Sequence, residues 1–247
     1  MKRDLPFDVD DRLLKPELDR KVAAAIALLA DIARRFAPAA LASSLGAEDM
    51  VLTDLIARNS PAIGIFTLDT GRLHAESYRL LQQITDRYDL RIRVVYPSGE
   101  ALERLIAAHG INGFFDSVEN RKACCQVRKV EPLRRALAGK RAWITGLRRS
   151  QSVTRASLPL REHDAANGLE KFNPLAEWQE QEVWAYLHLY GVPYNALHDC
   201  GFPSIGCEPC TRAITPGEDI RAGRWWWEQP GGKECGLHPA ARPPAAD

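Results

Sequence analysis

The chain has 247 residues, 45% of them hydrophobic and 26% charged, with a formal net charge of +1. Such values exclude a disordered or fibrous chain and give no global attraction to nucleic acid. The longest apolar stretch, Val22 to Ala30, is far too short to cross a bilayer, so no membrane association is expected.

The first residues, "MKRDLPFDVDDRLLKPELDR", are studded with acids and lack the apolar core of a signal peptide, which predicts a cytoplasmic protein. In a reducing compartment the six cysteines are metal ligands, catalytic thiols or buried bystanders rather than structural disulfides. Residues 11–36 carry apolar positions at helical spacing, including Leu18, Val22, Ile26, Leu29 and Ile32. Four strand-like runs follow at 39–45, 62–69, 91–97 and 141–147, with helical stretches at 47–58, 72–87, 99–109 and 126–138 between them. One more helix is expected over 179–190, and the chain then turns rich in Gly, Pro, Cys and Trp. Strands alternating with helices predict an α/β fold, a parallel sheet with helices on both faces. The expected organisation is one domain over residues 1–215 and a loop-rich extension over 216–247. Ligands of such sheets bind beyond the carboxyl ends of the strands, here the loops after Leu45, Asp69, Pro97 and Leu147.

The loop "SSLGAEDM" after the first strand can bring backbone N–H groups of Ser44 and Gly46 to a phosphate at a helix N-terminus. Glu48 and Asp49 fall in the first turn of that helix. The loop is neither a Walker loop nor a dinucleotide fingerprint. It resembles the Ser-Gly-Gly-x-Asp-Ser pyrophosphate loop of adenine-nucleotide enzymes, with Ala47 and Glu48 replacing the second Gly and its neighbour, a departure that argues against ATP hydrolysis. From Arg121 to Arg155 there are eleven Lys or Arg and a single acid, Glu131, a run suited to an anionic ligand as well as to a solvated face. Lys129 stands four residues past Cys125, one helical turn on. Arg148, Arg149 and Arg155 follow the fourth strand, and Arg221 and Arg224 stand three apart, the spacing of one helical face. Guanidinium groups grip phosphate and sulfate oxygens bidentately.

Four cysteines form a constellation. Cys207 and Cys210 make a Cys-x-x-Cys knuckle, and Cys124 and Cys125 are adjacent. Neighbouring thiols reach one small zinc ion awkwardly but reach two irons of a cubane readily, so a [4Fe–4S] cluster, one per subunit, ranks above zinc. Cys200 has no clean ligand spacing and reads as a bystander. Cys235, in "KECGLH", follows Gly231-Gly232 near the chain end, with Lys233 and His238 beside it to favour a thiolate. At least two of the three tryptophans 225–227 are expected to cover the core.

The segments "SLGAEDMVL", "TLDTGRLHAESY", "CCQVRKVEPL", "ITGLRRSQSVTRA", "FNPLAEW", "YGVPYNALHDCGFPSIGCEPCT", "RAGRWWWE" and "KECGLH" occur together. Over about Ser43 to His238 the chain resembles the phosphoadenylyl-sulfate reductase family, specifically its assimilatory, iron–sulfur adenylyl-sulfate reductases. The resemblance implies an adenine-nucleotide α-hydrolase-like (PP-loop) fold. It implies reduction of adenylyl sulfate to sulfite and AMP in sulfate assimilation and cysteine biosynthesis, with reduced thioredoxin or a glutaredoxin-like donor supplying two electrons. Members with all four cysteines hold the cluster and take the substrate without a 3′-phosphate. Cys235 is then the nucleophile, which carries an S-sulfocysteine and swings from pocket to donor on its Gly-hinged tail. The resemblance places Lys129 between cluster and substrate, and Leu68 and Gly146 in the adenosine pocket. Because the cysteine route carries both electrons, no electron transfer is assigned to the cluster. The competing readings are a reductase of 3′-phosphoadenylyl sulfate, a PP-loop ATP-dependent ligase or thiolase, and a metal-bearing nucleic-acid module. No nucleic-acid partner is expected, and the sequence is compatible with a homo-oligomer.

Overall fold

The computed structural model describes residues 11–151 and 155–229. Six strands form one sheet in the order β3-β2-β1-β4-β6-β5. They are β1 (Ala39–Ser43), β2 (Gly64–Leu68), β3 (Arg93–Val95), β4 (Ala142–Ile144), β5 (Arg161–Asp164) and β6 (Leu169–Phe172). Five run parallel, and β5 closes one edge antiparallel to β6.

Alternation along the strands feeds two apolar layers. Leu41, Ile65 and Ile144 point into a large core under four helices, α1 (Asp11–Arg35), α2 (Ala47–Asn59), α3 (Ala75–Tyr88) and α7 (Glu180–Leu189). Leu29, Ile32, Leu52, Leu55, Ile84 and Tyr186 fill that core from the helix side. Ala40, Phe66 and Trp143 point the other way, onto Leu133, Ala136 and Leu137 of α6 (Glu131–Leu137). The helices α4 (Gly99–His109) and α5 (Val118–Cys125) pack on each other and on the Gln126–Val130 turn that leads into α6. Strands buried on both faces read as unbroken apolar runs, which is why "AALAS" stands out. Asp54 of α2 accepts hydrogen bonds from Tyr88 Oη at 2.6 Å and Tyr186 Oη at 2.7 Å, which ties α2 to α3 and α7. Among the described residues no helix is long and apolar enough to cross a membrane.

Three expectations are corrected. The sheet gains β5 and β6, whose alternate positions are charged. Arg161 Nε donates to Glu170 at 2.6 Å and Lys171 pairs with Glu162 at 2.8 Å, so this edge hairpin is held by cross-strand ion pairs rather than an apolar run. The helix expected over 126–138 is not uniform: α5 begins earlier, and a π-helical turn, Gln126–Val130, separates it from α6. The segment around Arg221 and Arg224 is a chain of turns, not a helix, since Pro216, Gly217 and Gly223 interrupt it and Trp225 takes φ +42°.

β1 lies where the strand order reverses. β2 extends the sheet to one side and β4 to the other, so the loops that leave β1 and β4 diverge and open a crevice between them.

Candidate active site

The loop leaving β1 is wound tightly. Leu45 is held at φ +64°, a left-handed conformation costing about 1–3 kcal/mol for a residue with a side chain, and it is 2% exposed. Its N–H donates to Ser43 Oγ at 3.2 Å. Asp49, from the first turn of α2, reaches back. Its Oδ2 accepts from the Ser44 N–H at 2.6 Å and from Ser44 Oγ at 2.7 Å. Across the crevice, Gly146 follows β4. A Cβ there would lie 2.5 Å from Asp49 Oδ1 and 2.9 Å from Glu48 Cβ, so glycine is required for the two loops to meet. Glu48 is engaged by Arg148, whose Nε donates at 2.8 Å, and by Gln151 Nε2 at 3.0 Å. Arg155 Nη1 in turn donates to Gln151 Oε1 at 2.6 Å. The acids and Arg148 therefore lock the β1 and β4 loops together and shape the backbone facing the crevice.

Burial pushes the Asp49 carboxyl up to about 6; its hydrogen bonds to Ser44 and the Gly146 N–H only partly offset this, and the charge of Glu48 adds to it. An acid whose pKa is raised on folding stabilises the fold below its unfolded value near 4, and that contribution is lost as pH rises through 6. Two units correspond to about 3 kcal/mol. In urea unfolding at pH 4, 5, 6 and 7, the stability of the wild type relative to Asp49→Asn is expected to fall by roughly that amount and then level off. A flat difference across the window would mean that Asp49 ionises as freely as in the unfolded chain.

The crevice holds a cavity of about 260 Å³. Every substrate-binding candidate lines it: Ser44, Gly46, Glu48, Asp49, Leu68, Lys129, Gly146, Arg148, Arg155, Arg221 and Arg224. Turns, not a helical face, bring Arg221 and Arg224 there: Arg224 N–H donates to Arg221 O at 2.9 Å, and Arg224 bridges Thr211. The Arg224 guanidinium passes directly over Gly206, where a Cβ would come within 2.4 Å of Nη2. It donates to Ser204 Oγ at 3.2 Å and lies 4.9 Å over the Trp225 ring.

A second, smaller cavity adjoins the first. All four cysteines of the constellation line it, with Arg121, Arg128 and Phe114. Lys129, Cys207 and Trp225 line both cavities and form the wall between them. Cys124 and Cys125 come from the end of α5; Cys207 precedes a single 3₁₀ turn, Glu208–Cys210, that Cys210 ends, with Cys210 N–H donating to Cys207 O at 3.0 Å. Burial raises the Cys207 thiol, but Lys129, the Thr70 hydroxyl at 3.3 Å, Arg224 and Arg128 outweigh it and hold the thiol below its usual value. Cys210 is pushed up to about 12 by burial and by the three neighbouring thiols. Burial raises Cys124 as well. A cation among these thiols relieves that mutual opposition, so the donor set suits a metal centre. Among the described residues no three Cys, His, Asp or Glu side chains close on a point as one ion requires.

A sequence model of the phosphoadenosine phosphosulfate reductase domain matches residues 38–213. The chain belongs to that family. Within the family it is 59% identical over 221 residues to an adenosine 5′-phosphosulfate reductase of Allochromatium vinosum, covering 90% of this chain and 86% of the relative. The corresponding protein of Burkholderia cepacia is 57% identical over 225 residues, covering 91% and 90%. The crystal structure of phosphoadenylyl-sulfate reductase from Candida auris, a phosphate complex, superposes with a TM-score of 0.67 at 26% identity, over 87% of this chain and all of that one. Yeast FAD synthetase shares the fold alone, with a TM-score of 0.55 at 16% identity over 86% and 70%.

For this family member, Cys235 lies outside the described residues, as do Lys233 and His238. Cys200 is exposed at the end of a 3₁₀ turn and lines neither cavity. Of the tryptophans, Trp225 is buried between the cavities rather than in either apolar core, Trp227 packs 4.5 Å from Phe115, and Trp226 is half exposed. Thr70, His198 and Arg121 are among the lining residues that went unread in the sequence. Thr70 follows β2, contacts Cys207 and gives its carbonyl to Arg128 Nη1 at 2.5 Å. His198 lies in the main cavity with its ring 5.2 Å from Trp184, and burial lowers its pKa. Arg121 is fully buried beside the cysteines. A threonine, a histidine and one arginine among eleven basic residues carry no spacing signal of their own.

Proposed function

We propose that the chain reduces adenylyl sulfate to sulfite and AMP in sulfate assimilation, with Cys235 as nucleophile and a thioredoxin-type dithiol as electron donor. The observation that carries this reading is the pair of adjoining cavities, one ringed by anion-binding loops and arginines and one by four thiols, with Lys129 in their common wall. Substrate and attacking thiolate are both negative, so the site needs fixed cations where they meet. Arg221, Arg224 and Lys129 supply them, while Arg148 holds Glu48 and keeps the loop in shape.

The Cys235 thiolate attacks the sulfur of adenylyl sulfate. A sulfur–sulfur bond forms, the sulfur–oxygen bond to the phosphate breaks, and AMP leaves with that electron pair. A donor thiolate then attacks Cys235 Sγ and expels sulfite. The donor's second thiol resolves the mixed disulfide, returning the Cys235 thiolate and leaving the donor oxidised by two electrons. The reading assigns this chemistry to the cytoplasm, where thiols stay reduced.

Cys124, Cys125, Cys207 and Cys210 are the residues that hold one [4Fe–4S] cluster in this reading. The support is that four thiols surround one cavity while no three converge on a single ion. Held by these residues, a cluster would join α5 to the Cys207–Cys210 turn and would supply a fixed charge near Lys129, which lines the same cavity.

Comparison of kcat/KM for adenylyl sulfate and its 3′-phosphorylated form, with sulfite and AMP both measured, tests the substrate. The expected result is a clear preference for adenylyl sulfate. A preference for the phosphorylated compound assigns the chain to the other branch of the family.

A further inference from the structure

A buried ion pair joins two stretches of chain that hold different parts of the chemistry. Arg121 of α5 is 0% exposed at its side chain, and its partner Glu228 is 4% exposed. Nε donates to Oε1 at 2.7 Å and Nη2 to Oε2 at 2.8 Å, a bidentate fork. The same guanidinium lies 4.8 Å over the Trp225 ring, which Arg224 also covers. Trp227 packs on Phe115 and Phe114, just ahead of α5. Arg121 stands one turn before Cys125, and Glu228 stands four residues after Arg224 and seven before Cys235.

A buried pair returns little net stability, because desolvating both charges offsets their attraction. What the fork supplies is direction, since two parallel hydrogen bonds admit one orientation of the partner.

We propose that the Arg121–Glu228 pair is a positioning latch that fixes the direction in which the chain leaves the fold toward Cys235, so that the thiolate arrives in line with the substrate sulfur. The proposal rests on Cys235 being the nucleophile. Tether length does not account for such a role. A random coil of seven residues would span about 15 Å, and a tether counted back to Arg224 would have eleven, which lowers the effective concentration of Cys235 only about two-fold. Misdirection by an ångström costs far more, on the order of 100-fold.

The test is the double variant Arg121→Met with Glu228→Leu, which removes both charges of the pair together; the Cys125 side chain, which Arg121 also contacts, makes iron content a further control. It is read by single-turnover transfer of the sulfonate to Cys235, followed by mass, beside thermal unfolding and AMP affinity. The expected result is a folded protein with AMP affinity within about two-fold of wild type and transfer slowed at least about ten-fold. Reaction of Cys235 with methyl methanethiosulfonate, which needs no alignment, is expected to be unchanged. Transfer within two-fold of wild type, or a rate that falls in step with AMP affinity, overturns the latch. Should the double variant not fold, Glu228→Gln and Glu228→Asp carry the same comparison, with Asp, which keeps the charge, expected to transfer faster than Gln; equal rates overturn the latch. If wild type itself gains no sulfonate on Cys235, it is the assignment of the nucleophile that falls.

Discussion

Cys235→Ser is expected to form no measurable sulfite from adenylyl sulfate while binding AMP as tightly as wild type. The chain has six cysteines, and five have other places. Four ring the smaller cavity, where they are buried or partly buried, and Cys200 lies exposed away from both cavities. Cys235 stands six residues beyond Gln229, a reach of at most about 20 Å from the edge of the described fold. The described chain ends four residues past Trp225, which stands in the wall of the larger cavity with Arg221 and Arg224. A serine hydroxyl at neutral pH is a far poorer nucleophile than a thiolate, and removing an enzyme's nucleophile typically lowers kcat by about 10⁴–10⁶. AMP affinity and the visible spectrum should not move, because the cavity walls and the four thiols are untouched. Incubating wild type with adenylyl sulfate and no dithiol should add one sulfonate to the Cys235 peptide. The same mass on Cys200, or sulfite at the wild-type rate from the serine variant, would exclude the mechanism.

Cys207→Ala is expected to emerge from anaerobic purification with little iron or sulfide, to lose activity, and to unfold at lower temperature. Burial raises the Cys207 thiol, but Lys129 and the Thr70 hydroxyl hold it below its usual value, and Cys207 belongs to both cavities, so in the proposed reading its loss removes a ligand and opens the wall between them. Of the remaining thiols, burial raises Cys124, and burial and the neighbouring thiols push Cys210 up to about 12. Without a fourth ligand their mutual opposition favours the protonated, metal-free state. Cys200→Ala is the control and should retain full iron and sulfide. Wild type with one zinc and no sulfide would turn the centre into a zinc site. Full iron retention in Cys207→Ala would remove Cys207 from the ligand set.

The parallel core was legible because strands buried on both faces leave an apolar run that no other element mimics, as "AIGIFTLD" and "RAWITGL" do. The β5–β6 edge was not, because its pairing is carried by charges such as Arg161 and Glu170, which read as loop. The site residues were legible where a motif has a fixed spacing: Cys207 with Cys210, the Ser44–Asp49 loop, and Arg221 with Arg224. Even there the local geometry differed, since turns and a bridge to Thr211, not helical periodicity, bring the two arginines to the cavity. Glu48, Asp49 and Arg148 are substrate-binding candidates by position, yet each side chain is engaged in joining the β1 and β4 loops, Glu48 to Arg148 across 100 positions and Asp49 to the Gly146 N–H. Arg121 was invisible for the same reason, its partner being 107 residues away.

The π turn at Gln126–Val130 acts as a phase shifter within one helical rod. Arg121 and Cys125 mark the inward side of the upstream half; Leu133, Ala136 and Leu137 mark that of the downstream half, against Trp143. At about 100° per residue, a uniform α-helix would set these two sides about 90° apart. One extra residue in a wide turn absorbs almost that angle and brings both sides inward together. The surplus position gives the turn an additional side chain, and Arg128 and Lys129 both stand there, one gripping the Thr70 carbonyl and the other in the wall between the cavities. The cysteine pair at the smaller cavity, sheet packing and a pair of adjacent cations, which an unbroken helix would force to compete for the same rotation, are thereby satisfied at once.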